Sequence, residues 1–327
     1  MKAVWYEQVG PASEVLHYGD MPTPAPAADE LLVRLKASGV NPADANRRQG
    51  RGYAMEYPRV IPNSDGAGVV EAVGNGVSRN WVGQQVWLYN GQRGRAFGTA
   101  AEYIALPETL VMPLPKSTSF VEGACLGIPA MTAYHCVFAD GPVQGKTMLI
   151  TGGAGAVSHY ALQFAKWGGA ATITTIDTPE KAEHATRAGA ALTLNFKTDD
   201  VAAGILDFTK GSGVSRIIDV DFGGNLPVSL KVIQDNGVII SYASRGEAAP
   251  PLPFYEILRK NLTIRGVLLP GTPEALRRRA QAEVTRWLAE AKPIHTIANT
   301  FPLEQTVRAH EAAESGTKLG TIVVTID

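Results

Sequence analysis

The stretch TMLITGGAGAVS, Thr147 to Ser158, carries a short β-branched run directly into glycines and then into a helical pattern. Gly153, Gly155 and Ser158 stand at G-x-G-x-x-G spacing, with Ser in the last place. Small residues there permit a tight turn and let phosphate oxygens approach backbone N–H groups at a helix N-terminus. The following Val157, Tyr160, Ala161 and Phe164 recur at helical spacing. A second strand, 171–176, ends at Asp177, where an acid commonly takes a ribose hydroxyl. Strand, glycine turn, helix, strand and acid in this order predict a seat for a dinucleotide pyrophosphate. A glycine-rich turn that binds nothing would account for the glycines but not for their context.

Outward from this unit, two changes of pattern divide the chain. Before about Pro115 short β-like runs are broken by Gly and Pro: Lys2 to Tyr6, Leu31 to Ser38, Gly68 to Val73, Gln85 to Tyr89 and Ala100 to Ala105. They predict a mostly β, barrel-like unit. From about Gly123 to Leu269 strands near Thr147, Ala171, Ser215, Gly237 and Leu262 alternate with helical stretches, the signature of a doubly wound parallel sheet. The tail then opens a helix at Thr272-Pro273, with Leu276, Ala280, Val284, Trp287 and Leu288 as its apolar stripe and Arg277, Arg278 and Arg279 as its solvated face. A second helix over 303–315 and a strand over 320–326 follow. The simplest arrangement returns this tail to the first domain. The expected fold class is α/β, with boundaries at 1–122, 123–269 and 270–327.

Bulk properties narrow the partners. The 327 residues carry 30 Lys plus Arg against 31 Asp plus Glu, a net charge of -1, so no global field recruits nucleic acid or an anionic membrane. Cys125 and Cys136 are the two cysteines, too few for a disulfide framework or a four-thiolate zinc site. No apolar run reaches spanning length, and the start MKAVWYEQVG lacks a signal-peptide pattern, so a cytoplasmic protein is expected. Cys125, Cys136, His135 and His159 are read as core residues rather than nucleophiles or bases.

Several segments in fixed order carry a family resemblance: VNPADANRRQG at Val40, IPNSDGAGVVEAVG at Ile61, IPAMTAYHCV at Ile128, ITGGAGAVSHYALQFAK at Ile150, IDVDFGGNLPVSL at Ile218 and AHEAAESGTKLGTIVV at Ala309. Over essentially its whole length the chain resembles the zeta-crystallin-like quinone oxidoreductases, a zinc-free branch of the medium-chain dehydrogenase/reductase superfamily. The resemblance implies a GroES-like, mostly β catalytic domain in two parts, a Rossmann domain between them in sequence, homodimers, and hydride transfer from NAD(P)H to a quinone or activated enone. In the zinc branch a Cys, a His and a further Cys or His hold the metal. The matching positions here are Asn41, Ser64 and Ile128, none of them a usual zinc ligand.

The same resemblance implies the site residues. Asn41 and Asp44 lie at the nicotinamide end and Thr132 by the nicotinamide ribose; turn chemistry alone also explains Asn41 and Asp44. The backbone of Gly153, Ala154, Gly155, Ala156 and Val157 holds the pyrophosphate. Phe196 stands where a Tyr often flanks the adenine ribose. Tyr242, Ser244, Arg245, Val267, Leu268 and Leu269 approach from the later strands. Where relatives place an active-site Tyr this chain has Asn46, so substrate contacts pass to candidates such as Arg47, Arg48, Tyr53 and Tyr57.

Cofactor choice is pulled two ways. Lys181 matches a family lysine directed at a 2'-phosphate and makes NADP(H) the expected cofactor, whereas Asp177 would repel that phosphate and admits NAD(H). Asp177 as a helix cap or a solvent-facing acid is the alternative. Competing functions are a free-standing enoyl or alkenal reductase, an alcohol dehydrogenase on the same scaffold, and a non-catalytic dinucleotide-binding protein. The absent zinc ligands speak against alcohol oxidation, which needs an alkoxide stabilised.

Overall fold

The computed structural model describes residues 1–52, 54–315 and 319–327, and the statements below concern those residues. They form two compact units, one of Met1–Ile128 with Gln281–Asp327, the other of Pro129–Ala280. Both divisions fall inside continuous helices, several residues beyond the positions at which the sequence pattern changes. A helix that runs on across a division leaves no compositional mark there.

Seven strands precede residue 128: β1 (Lys2–Trp5), β2 (His17–Asp20), β3 (Glu30–Val40), β4 (Asp65–Val73), β5 (Gln85–Leu88), β6 (Tyr103–Pro107) and β7 (Val111–Pro113). With them come helices α1 (Ala12–Val15), α2 (Pro42–Arg48), α3 (Phe120–Gly123) and the start of α4 (Gly127–Phe138). The second unit runs β8 (Thr147–Ile150), α5 (Ala156–Trp167), β9 (Ala171–Ile176), α6 (Pro179–Ala188), β10 (Leu192–Asn195), α7 (Val201–Phe208), β11 (Val214–Asp219), α8 (Phe222–Val232), β12 (Ile233–Ser241), α9 (Phe254–Arg259) and β13 (Thr263–Gly266). Then α10 (Glu274–Glu290), β14 (Ile297–Pro302), α11 (Thr306–Glu314) and β15 (Thr321–Thr325) return the chain to the first unit.

The first unit's larger sheet has the order β14-β15-β3-β4-β5-β7, with β6 also on β3. The long β3 pairs with β4, β6 and β15, so its side chains reach both faces of a curled sheet, and Leu31, Val33 and Leu35 fill the core with Val60, Ile61 and Ile104. That curled sheet carries α2 and the segment entering β4 to one side of the same strand end.

The second unit is a parallel sheet of order β10-β9-β8-β11-β12-β13. Leu149, Ile173, Ile217 and Ile239 from four adjacent strands make its apolar centre. Strand order reverses direction between β8 and β11, and in such sheets the crevice outside the C-terminal strand ends at that point receives ligands. The four-residue β10 strand is absent from the sequence reading. In α10, Ala280, Val284, Trp287 and Leu288 are buried as expected. Leu276, by contrast, is 49% exposed, and Arg277 turns back to donate to the Thr272 carbonyl at 2.7 Å.

Candidate active and dinucleotide site

Each dinucleotide candidate in the second unit lies at or just past the C-terminal end of a sheet strand. After β8 the backbone turns at Gly152, whose φ of +65° belongs to the left-handed region that favours glycine. Gly152 was not among the sequence candidates, although it makes the turn. A Cβ on Gly153 would stand 2.3 Å from the Thr174 hydroxyl, so this glycine exists to let the loop lie on β9. Gly155 differs: it caps α5 with an ordinary extended backbone, and a Cβ there would meet only the Gly152 carbonyl, at 3.3 Å. The space before it is open. The first helical bond of α5 runs from His159 N–H to Gly155 O at 2.8 Å, so the preceding amides of Ala156, Val157 and Ser158 face out of the helix start. Ala154 completes the turn. Outward amides, a helix dipole and an unobstructed glycine fit a pyrophosphate.

Ser158 faces inward. Its hydroxyl donates to the Thr151 carbonyl at 2.7 Å and meets the Tyr242 hydroxyl at 2.9 Å. Burial pushes the Tyr242 phenol upward in pKa, so it stays protonated and ties the end of β8 to the end of β12. Both residues therefore shape the seat rather than offer side chains to it. Between them, on β11, the buried Asp219 accepts from Thr151 Oγ1 at 2.9 Å, Asn225 Nδ2 at 2.7 Å and the Asp221 N–H at 2.9 Å. Asp221 in turn accepts the backbone N–H of Arg245 at 2.7 Å and of Gly246 at 2.9 Å, while Ser244 Oγ accepts from Gly223 N–H at 2.9 Å. These acids hold the Tyr242–Arg245 segment in place. Beyond β13, Val267 N–H bonds Ser241 O and Leu268 is exposed, but Leu269 is packed inside, so only its backbone can serve a ligand.

At the end of β9, Asp177 is paired twice: its Oδ1 lies 2.7 Å from Lys181 Nζ and its Oδ2 lies 3.5 Å from Lys197 Nζ. The hydrogen bond from Lys181 leads in holding this carboxyl below the usual range. Asp177 does not cap α6, because Thr178 does, its hydroxyl accepting Lys181 N–H at 3.3 Å. Two ammonium groups around one carboxylate leave the corner cationic. Lys197 was missed in the sequence; the signal was its place directly after Phe196, whose ring is exposed beside it in the chain.

The first unit holds Asn41 and Asp44, two of the three residues read as the hydride site. Asn41 is the N-cap of α2 and Asp44 its third residue; Asn41 N–H donates to Asp44 Oδ2 at 2.9 Å. Asn41 Nδ2 donates to Asp65 Oδ2 at 2.7 Å, Ile128 N–H donates to the same oxygen at 2.8 Å, and Ser64 Oγ donates to Asp44 Oδ1 at 2.7 Å. Asn41, Ser64 and Ile128 thus meet around two buried carboxylates. Helix capping and site geometry coincide in Asn41 and Asp44. Burial raises the Asp44 pKa against its hydrogen bonds, and burial followed by the Asp44 charge raises that of Asp65 further. Thr132 is buried on α4, one turn beyond Ile128.

This donor set does not suit zinc. It offers an amide, a hydroxyl and a backbone N–H already bonded to carboxylates, with neither thiolate nor imidazole. Among the described residues no group of three His, Cys, Asp or Glu gathers anywhere. The cysteines are core residues, with burial pushing each thiol up to about 12. His135 falls to about 4 through burial, and His159 stacks on His184 with centroids 4.1 Å apart. Of the acceptor-pocket candidates, Arg47 and Tyr57 line a cavity beside α2. Arg48 instead is wholly buried, bonded to Gly10 O and Glu314. Tyr53 lies outside the described residues.

Known proteins align with both units. The family described as "Zinc-binding dehydrogenase" matches residues 156–289, and "Alcohol dehydrogenase GroES-like domain" matches 27–116. A Schizosaccharomyces pombe "zinc-type alcohol dehydrogenase-like protein" is 32% identical, covering 91% of each chain. The Rattus norvegicus "quinone oxidoreductase" is 30% identical over 99% of this chain and 97% of its own. Among solved structures, an "NAD-dependent alcohol dehydrogenase" has TM-score 0.91 and 28% identity over 100% of both chains. Escherichia coli quinone oxidoreductase complexed with NADPH has TM-score 0.86 and 25% identity, covering 99% of this chain and 100% of its own.

Proposed function

Because the chain belongs to the zeta-crystallin-like quinone oxidoreductases of the medium-chain dehydrogenase/reductase superfamily, we propose that it reduces quinones or activated enones with NAD(P)H and without a metal. The observation that carries this reading is the hydrogen-bonded knot in which Asn41, Ser64 and Ile128, at the positions that match metal ligands, bond to the buried Asp44 and Asp65. Alcohol oxidation needs a developing alkoxide stabilised, and this knot, built on two carboxylates, offers no thiolate or imidazole to hold a metal that would do so. A quinone or enone spreads incoming negative charge through its own conjugation. Bound NADPH would supply the hydride. The chain's own contribution is to seat the pyrophosphate on the amides before α5 and to fix Asn41 through Asp44 and Asp65, so that a flat acceptor can be held in place.

NADP(H) is the proposed cofactor, supported by the excess of one ammonium around Asp177. Asn41, Asp44 and Thr132 are proposed at the nicotinamide end and Phe196, Tyr242 to Arg245 and Val267 to Leu269 around the remainder. A homodimer is supported by β13, an edge strand exposed at every residue, with Phe254, Tyr255 and Leu258 exposed on α9 before it. Equilibrium sedimentation tests it. A cytoplasmic location accords with the absence, among the described residues, of any helix long and apolar enough to cross a membrane.

The test is oxidation of NADPH and NADH by quinones, alkenals and enones, set beside reduction of NADP+ and NAD+ by alcohols, before and after exhaustive chelation. Quinone or enone turnover that survives chelation is expected. Loss of activity restored specifically by zinc, or turnover of alcohols alone, overturns the assignment.

A further inference from the structure

The cavity beside α2 has a volume of about 290 Å³ and combines two kinds of wall. Tyr6, Tyr57, Met55 and Val60 present ring faces and apolar side chains, suited to a flat acceptor. Opposite in character, Arg47 and Arg93 line the same space with Glu56, the one acid among the described lining residues. Arg47 is held at the end of α2 by Gln92, a buried side chain that accepts from Arg47 Nη1 and donates to the Arg95 carbonyl at 3.3 Å. Arg93 makes no ion pair among the described residues, and its backbone is anchored by its N–H on Asn90 O at 3.0 Å. Among the described lining residues two guanidinium groups stand against one carboxylate, with Asp44 also close enough to Arg47 to feel its charge, in a chain whose net charge is only -1. The charge is therefore local to this wall.

We infer that this cavity takes a planar acceptor carrying an anionic substituent, a carboxylate or sulfonate on a quinone ring, with Arg93 and Arg47 as the cations that recognise it. The inference rests on the proposed reductase activity and narrows its substrate class. A guanidinium fork matches a carboxylate or sulfonate through two parallel N–H donors, which a neutral ring does not engage.

The test compares kcat/KM for 1,4-naphthoquinone and its 2-sulfonate in the unmodified enzyme and three variants, because the ratio across variants cancels the intrinsic reactivity of the two quinones. Arg93→Gln should lower the sulfonate-to-neutral ratio about five-fold, the effect of one contact charge in a solvent-exposed setting. Arg47→Gln should lower it further, and Glu56→Gln should raise it. Raising the salt concentration should compress all three differences. Binding of the non-reducible 2-naphthalenesulfonate, measured by calorimetry, should weaken in Arg93→Gln in step with the kinetic ratio. Turnover of both quinones with a ratio unmoved by all three substitutions overturns the inference while leaving the reductase reading intact. Turnover of neither quinone, with the sulfonate still bound, overturns the reductase reading instead.

Discussion

Replacing Lys197 by Ala should weaken NADPH about five- to ten-fold and leave NADH almost unchanged, and replacing Lys181 should do more. The magnitudes follow from charge and exposure at the end of β9. Unit charges in contact interact by about 1 kcal/mol in water and about 4 kcal/mol at an effective dielectric of 20. The Lys197 side chain is 60% exposed, so its attraction to a 2'-phosphate lies near the lower figure. The Lys181 and Asp177 side chains are 27% and 20% exposed and stand 2.7 Å apart. Lys181→Ala removes one unit of positive charge at a less exposed position than Lys197, giving about 2 kcal/mol, or roughly 30-fold. Asp177→Asn reverses the sign: both ammonium groups remain, and NADPH should tighten by about five-fold. The assay is kcat/KM for both cofactors, with calorimetric binding of 2',5'-ADP against ADP at low and high salt. Two results refute the reasoning. If Asp177→Asn selectively weakens NADH, the carboxylate is a ribose ligand and not the centre of a lysine pair. If both lysine variants affect ADP and 2',5'-ADP equally, neither ammonium reads the phosphate.

Three further outcomes separate structural from ligand-binding residues. Gly155→Val should fold with little loss of stability, since its backbone is extended and its Cβ space open, yet fail to bind NADPH in a fluorescence titration; undiminished affinity would place the pyrophosphate elsewhere. Gly153→Ala should instead cost about 1–3 kcal/mol in denaturant unfolding, because its Cβ would meet Thr174 at 2.3 Å, and wild-type stability would disprove the close approach. Ser158→Gly leaves the Thr151 carbonyl and Tyr242 hydroxyl without their partner, so a loss of about 1–3 kcal/mol is expected; an unchanged melting temperature would contradict that bond pair. The fourth outcome concerns Asp65, whose folded pKa is raised by burial and then by Asp44. A raised carboxyl contributes its stability fully below its unfolded pKa of about 3.9 and loses it as pH climbs through the folded value. Asp65→Asn removes that loss, so its melting temperature relative to the unmodified protein should rise as pH climbs above about 4 and level off once the folded carboxyl has titrated. A difference that does not change with pH would mean Asp65 is ionised in both states.

What could be read in the chain, and what could not, follows the range of the forces involved. The parallel sheet was legible because β-branched runs, glycines and helical periods are local, and the turn after β8 declares itself within a dozen residues. Asn41 and Asp44 were legible as a helix start, since their bond spans three positions. The acid Asp65, by contrast, lies 24 positions from Asn41 and 63 from Ile128, and nothing adjacent to it announces that it joins them. Asp219 has the same character, binding Thr151 across 68 positions. Lys197 pairs with Asp177 only because β10 lies next to β9, and β10 is the strand absent from the sequence reading. Ser158 could be placed in the glycine series, but whether its hydroxyl turned outward to a phosphate or inward depended on Tyr242, 84 positions away. The side chains that escaped a sequence reading are therefore those whose partners the sheet supplies. In this chain they are also the ones on which the proposed chemistry rests: Asp65 joins Asn41 to Ile128, and Lys197 adds a second ammonium beside Asp177.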